Sequence, residues 1–60
     1  MKEKYYLVNY MFSGILCRII ITSNNIEEAM SKFYKIQPEV KQKEGLGFNY
    51  GVDLVEEIDL

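Results

Sequence analysis

The chain has 60 residues, of which 48% are hydrophobic and 27% charged, a composition typical of one small folded domain over residues 1–60 and not of a disordered chain. The net charge of −2 supplies no basic excess to attract phosphates, so general electrostatic binding of nucleic acid is disfavoured. A single cysteine excludes an internal disulfide and favours a reducing cytoplasm, in which Cys17 is expected to be a small buried apolar residue.

Two apolar runs at the start of the chain predict a β-hairpin. Residues 5–12 and 15–22 are rich in aromatic and β-branched side chains, and the intervening Ser13 and Gly14 suit a tight turn with positive φ. This loop pairs the end of the first run with the start of the second, and successive pairs fall on opposite faces of the sheet. One face then carries Tyr6, Val8, Tyr10, Phe12, Ile15, Cys17, Ile19 and Ile21, and the other carries Tyr5, Leu7, Asn9, Met11, Leu16, Arg18, Ile20 and Thr22.

A helix is predicted to follow the hairpin. Short polar residues precede glutamates at the spacing of a capping box, and either Asn24 or Asn25 can be the capping residue. Apolar residues then recur at helical spacing, and Pro38 ends the helix near Ile36. The helix residues expected to pack on the sheet are Ile26, Ala29, Met30 and Phe33.

The end of the chain predicts a third strand. Residues 39–47 have mixed charges and two glycines, which indicates a flexible connection, and apolar residues alternate from Phe48 onwards. A helical crossover most simply places this strand beside the first and antiparallel to it. We therefore expect an α+β fold, with a three-stranded antiparallel sheet of order 2-1-3 and one helix packed on one face. The apolar face of the third strand should contain Phe48, Tyr50, Val52, Leu54, Ile58 and Leu60, interrupted by Glu56.

One helix leaves the other face of such a sheet uncovered. A contiguous apolar patch on a small protein usually marks an interface, and association relieves the marginal stability of a small core. We predict a homodimer or a tight complex through this face. The alternative is that the connection folds back over it, using Val40 and Leu46. The predicted self-association residues are Tyr5, Leu7, Met11, Leu16, Arg18 and Ile20.

The last ten residues are acidic and contain no basic residue. One interpretation is a solvated strand face whose charges prevent edge-to-edge aggregation. The other is an acidic strip that contacts the basic groove of a nucleic-acid-binding enzyme, mimicking phosphates. The strip would consist of Asp53, Glu57 and Asp59, and these are the predicted target-binding residues.

Two further functions can be considered. The chain could be a small nucleic-acid-binding protein that acts as a dimer, with bases stacking on Tyr5 and Tyr34, the tyrosines that are expected to be exposed. It could also be a structural subunit of a larger assembly. The lysines available for phosphates in the first case are Lys2, Lys4, Lys32, Lys35, Lys41 and Lys43.

The residues that several kinds of catalytic and metal chemistry require are absent from the sequence. Without histidine there is no histidine-dependent triad or histidine-ligated zinc, one cysteine cannot form a thiolate cage, and no glycine-rich phosphate loop is present. Glu56 and Glu57 are adjacent on a strand, so they point to opposite faces and do not form an acid–base pair. Asn9 and Arg18 interrupt the first apolar stretch, which therefore predicts no membrane span. We expect no enzymatic activity, no cofactor and no metal.

The hairpin, residues 22–30 (TSNNIEEAM) and the amphipathic last strand resemble very small proteins of bacteriophages and mobile elements of low-GC bacteria. The strand-strand-helix-strand order is similar to that of the phage inhibitor of uracil-DNA glycosylase, and small anti-CRISPR proteins have comparable size and composition. The resemblance implies a non-catalytic protein in the cytoplasm of a host bacterial cell. Its partner would be a host nucleic-acid-processing or defence enzyme, which it would bind and inhibit.

Overall fold

The computed structural model describes residues 3–59 and contains one antiparallel sheet with strand order β2-β1-β3. The predicted α+β architecture and strand order are confirmed, and a second, short helix occupies part of the predicted flexible connection. Neither helix in the described range is long and apolar enough to cross a membrane. The elements are β1 (Lys4–Phe12), β2 (Ile15–Ser23), α1 (Ile26–Ile36), α2 (Pro38–Gln42) and β3 (Gly51–Ile58).

The β1-β2 hairpin has the predicted register, with Phe12 opposite Ile15 and alternate pairs on opposite faces. Ser13 and Gly14 both have positive φ, 53° and 80°, as in the type I′ turn whose twist matches that of the flanking strands. The Gly14 N–H also donates a hydrogen bond of 3.1 Å to the Asn49 carbonyl. The tip of the hairpin is therefore attached to the segment that leads into β3.

Helix α1 begins after Asn25, whose Oδ1 accepts a hydrogen bond of 2.8 Å from the Glu28 N–H. This hydrogen bond identifies Asn25, and not Asn24, as the capping residue. The Lys32 ammonium donates a hydrogen bond of 2.8 Å to the Thr22 carbonyl, which joins the helix to the end of β2. The helix ends at Ile36, as predicted from the proline that follows.

Both helices lie on the face of the sheet that we call the covered face. Helix α1 packs along β2, and α2 contacts α1 and β3. The Tyr10 and Phe33 rings meet edge to face, with centroids 4.9 Å apart. Cys17 is partly buried against this core, as a small apolar residue would be. The buried hydrophobic core consists of Tyr6, Val8, Tyr10, Ile21, Ala29, Phe33 and Val40.

Helix α2 corrects the prediction of a flexible connection. Pro38 occupies its first turn, where the missing N–H costs no hydrogen bond, and Val40 is fully buried on the covered face. The alternative in which Val40 and Leu46 fold over the opposite face is therefore wrong. Leu46 is exposed.

The predicted alternation of faces along the last strand is wrong for the second half of β3. It begins at Gly51, and a β-bulge makes Asp53 an extra residue, because Asn9 pairs with Leu54 while Tyr10 pairs with Val52. Residues beyond the bulge are therefore shifted by one position. Val55, the apolar exception on the predicted polar face, lies opposite Val8 on the covered face, whereas Leu54 and Ile58 lie on the other face.

Other core predictions were also wrong. Phe48 precedes β3 and is 94% exposed, and Ile15 and Ile26 are exposed at the first positions of β2 and α1. At an element end the covering layer is incomplete, so correct periodicity does not ensure burial. Leu60, assigned to the same apolar face, lies outside the described residues.

Candidate functional site: the uncovered face of the sheet

The face of the sheet opposite both helices is the candidate site, and we call it the open face. On β1 its residues alternate with the core residues, and the strand pairings place the corresponding β2 and β3 residues beside them. It consists of Tyr5, Leu7, Asn9, Met11, Leu16, Arg18, Ile20, Thr22, Leu54, Glu56 and Ile58.

Large apolar side chains on this face are in contact with solvent. Leu16 is 54% exposed, Ile20 49% and Leu54 52%, although all three belong to regular strands. Leu7 on the central strand pairs with Ile20 of β2 on one side and with Glu56 of β3 on the other. It is half-buried. The open face thus carries several large exposed apolar side chains around the polar Asn9 and Arg18, as is typical of interfaces.

Two opposite charges lie on the two edges of this apolar surface. Arg18 is on β2 at the level of Asn9, and Glu56 is on β3 at the level of Leu7. Strand β1 separates them, and neither forms an ion pair within residues 3–59. Both side chains are exposed and available to a partner.

The structure brings all of the predicted self-association residues together on the open face: Tyr5, Leu7, Met11, Leu16, Arg18 and Ile20. Their role in binding a second copy stays a prediction. Sequence reasoning missed Leu54, Glu56 and Ile58, because simple alternation placed these residues on the core face. The local signs of a change of face were two adjacent residues: Val55 is apolar on the polar side of the predicted strand, and Glu56 is charged on its apolar side.

The bulge interrupts the predicted acidic strip. Asp53 is the bulge residue, whereas Glu57 lies beyond it, opposite Tyr6 and on the covered side of the sheet. The Glu57 carboxylate is 3.5 Å from the Lys4 ammonium. Asp59 follows the end of β3, and all three acids are exposed. The strict alternation that grouped them on one strand face is therefore wrong, and their binding role stays a prediction.

Several lysines proposed as phosphate ligands have local acidic partners. Lys32 is 3.6 Å from Glu28, and Lys43 is 3.6 Å from Glu39, each one helical turn apart. Because these pairs are exposed, they contribute little stability, but they lower the local positive potential. Lys2 lies outside the described residues.

The aromatic candidates for base stacking have different environments. Tyr5 is exposed on the open face, whereas Tyr34 is half-buried, with its ring centroid 5.3 Å from that of Phe33. The Lys41 ammonium lies 5.3 Å from the Tyr34 ring centroid. Burial, with a smaller contribution from the Glu44 carboxylate, raises the pKa of Tyr34. Tyr34 thus belongs mainly to the packing of α1, contrary to its prediction as an exposed residue.

A shallow cavity of about 320 Å³ lies beside the start of β3, between Met11 of the open face and the exposed Phe48. Its walls are mainly apolar, and Asp53 is the one carboxylate in its lining. No group of three or more potential metal ligands occurs among the described residues. The lining includes Met11 of the open face and Val52, which lies opposite Tyr10 on the covered face, so the cavity lies at the end of the sheet.

No protein-family model matches the chain, and no curated protein or solved structure matches it. The fold and the open face are therefore the features that indicate a function.

Proposed function

We propose that this protein is a non-catalytic binding module whose open face pairs two copies into a homodimer. The observation that carries the proposal is the row of exposed apolar side chains on a sheet face that no described helix covers. Burying apolar surface is favourable by roughly 25 cal/mol per Å². A small domain with one enclosed core gains a second buried layer by such pairing.

The acidic residues support the second part of the proposal, which concerns the target. Asp53, Glu57 and Asp59 are exposed and would remain at or beyond the edge of a dimer formed through the open face. A basic surface is the complementary partner. Together with the resemblance to phage inhibitors, this favours binding and inhibition of a host nucleic-acid-processing or defence enzyme in the bacterial cytoplasm.

The self-association is tested by measuring the solution mass by light scattering over a concentration series. The wild-type chain should reach the mass of a dimer, and the double variant Leu7→Lys, Ile20→Lys should stay monomeric, because two charges would be buried without partners. The matched control is Ser31→Lys, Gln42→Lys, which adds the same charge to exposed positions on the helices and should still dimerise. A wild-type chain that stays monomeric at ~1 mM, above the Kd of even a weak complex, contradicts the proposed homodimer.

The target is tested separately with the triple variant Asp53→Lys, Glu57→Lys, Asp59→Lys. Its circular dichroism and dimer mass should equal those of the wild type, while inhibition of the target is lost. Purified uracil-DNA glycosylase and CRISPR nucleases are the first enzymes to assay. Equal inhibition by the wild type and the triple variant would contradict the acidic target surface and leave the dimer proposal intact.

A further inference from the structure

We infer that the two copies pair around a two-fold axis parallel to β1, so that Arg18 of each copy contacts Glu56 of the partner subunit. This inference rests on the proposed self-association and adds its geometry. It depends on the position of opposite charges on opposite edge strands of the same face.

The strand pairings define where the two charges lie. Arg18 is beside Asn9 on β2, and Glu56 is beside Leu7 on β3, so the charges are two strands apart across the sheet and two residues apart along it. Within one copy β1 stands between them, and the structure shows no ion pair between the two side chains. Burial of the open face without partners for these charges would be costly.

Two symmetric arrangements keep the strands of both sheets nearly aligned, as in most face-to-face sheet packings. If the axis runs parallel to β1, each β2 lies over β3 of the partner subunit, and every Arg18 comes near a glutamate. If the axis runs across the strands, each strand lies over its own copy, which brings arginine towards arginine and glutamate towards glutamate. Charge complementarity therefore selects the first arrangement.

Side-chain reach is compatible with the selected arrangement. Packed sheets are ~10 Å apart, and two residues along a strand span ~7 Å, so the two Cα atoms would be about 12 Å apart. Extended arginine and glutamate side chains together cover such a distance. The aliphatic part of Arg18 would lie over Leu54 of the partner subunit, which is at the same ladder level, before the guanidinium reaches the carboxylate.

The size of the open face makes these charges important. Nine residues by three strands measure about 30 by 15 Å, so pairing two copies would bury on the order of 1,000 Å², near the lower limit of specific interfaces. Apolar contact alone therefore gives a modest affinity. Two symmetric ion pairs, or two like-charge contacts in their place, should shift that affinity measurably.

The test uses charge reversal on each side of the proposed pair. Arg18→Glu and Glu56→Arg are measured singly, combined in one chain, and as an equimolar mixture of the two single variants, by sedimentation equilibrium at low salt. The matched control is Glu27→Arg, the same reversal at an exposed position of helix α1, away from the open face.

With the axis parallel to β1, each single variant should raise the dimer Kd at least about tenfold, because both of its contacts become repulsive. The double variant and the mixture should return the Kd to within about threefold of the wild type, because opposite charges again meet. The control should have a Kd close to that of the wild type.

The test distinguishes failure of the inferred axis from failure of the proposed homodimer. If neither single variant changes the dimer Kd, the inferred axis is overturned and the self-association is kept. With an axis across the strands, each charge reversal only replaces one like-charge contact by another. Single variants that weaken the dimer without rescue in the mixture would also overturn it. A wild-type monomer, or an open face occupied by a different protein, would overturn the proposed homodimer itself.

Discussion

The two faces of β1 have similar sequences and different environments. Tyr6, Val8 and Tyr10 are enclosed by helices on the covered face, whereas Tyr5 and Leu7 alternate with them on the open face and remain accessible. A strand that is apolar on both sides is typical of sheets buried on both sides. The sequence of β1 is therefore typical of a strand that is covered on both faces. The described part of the chain covers only one of them.

The largest expected contrast between the faces comes from truncating their side chains. Phe33→Ala should cost about 3–5 kcal/mol and leave the chain largely unfolded, because Phe33 is fully buried and a domain of this size has little more stability than that. Leu16→Ala on the open face should cost under ~1 kcal/mol in the monomer. Urea unfolding followed by circular dichroism, below the dimer Kd, measures both. Similar costs for the two variants would contradict the distinction between the faces.

The next contrast concerns the short helix that completes the covered face. Val40→Ala should lower the free energy of unfolding by about 2 kcal/mol, because its side chain is fully buried in the core. Leu46→Ala is the matched change at an exposed position of the same connection and should be nearly neutral. Equal midpoints in urea for Val40→Ala and the wild type would show that α2 does not help to form the core.

The helix cap predicts a smaller effect. Asn25→Ala should cost about 1 kcal/mol, because the Glu28 N–H loses its acceptor at the start of α1. Asn24→Ala removes the same kind of side chain one residue earlier and should change the thermal midpoint little. If Asn24→Ala proved to be the more destabilising variant, the helix would begin one residue earlier than described.

The smallest effect is expected from deleting Asp53. The deletion removes the extra residue of the bulge while Val52 and Leu54 keep their partners on β1, so both faces keep their side chains. Stability should change by less than ~1 kcal/mol, as for most surface changes. Amide hydrogen exchange would show whether the β1-β3 ladder survives. Loss of its protection would mean that the bulge is required for β3 to pair.

The elements fixed by neighbouring residues were predictable from the sequence. The two-residue turn determined the hairpin register, and a capping residue with a following proline bounded α1 within a one-residue choice. The open face on β1 and β2 followed from that register. These features depend on local chemistry that the sequence displays directly.

The features that depend on distant contacts were not predictable in the same way. The bulge changes the count of residues between Val52 and Val55, which places Val55 opposite the buried Val8, and nothing in the local pattern marks which residue is extra. Val40 of α2 is fully buried in the core, and the sequence pattern of residues 39–47 does not display the distant residues that bury it. The edge of the open face on β3 was consequently missed, and with it Glu56.

The bulge also affects what happens at the rim of the sheet. β3 is an edge strand, and its outer backbone groups could accept a further strand from another molecule. An extra residue disturbs the spacing of those groups, and the exposed Glu56 and Glu57 repel an identical strand that approaches edge to edge. Asp53 therefore makes β3 a poor template for fibre growth. Polymerisation at high concentration should start at the outer edge of β2, which has no bulge.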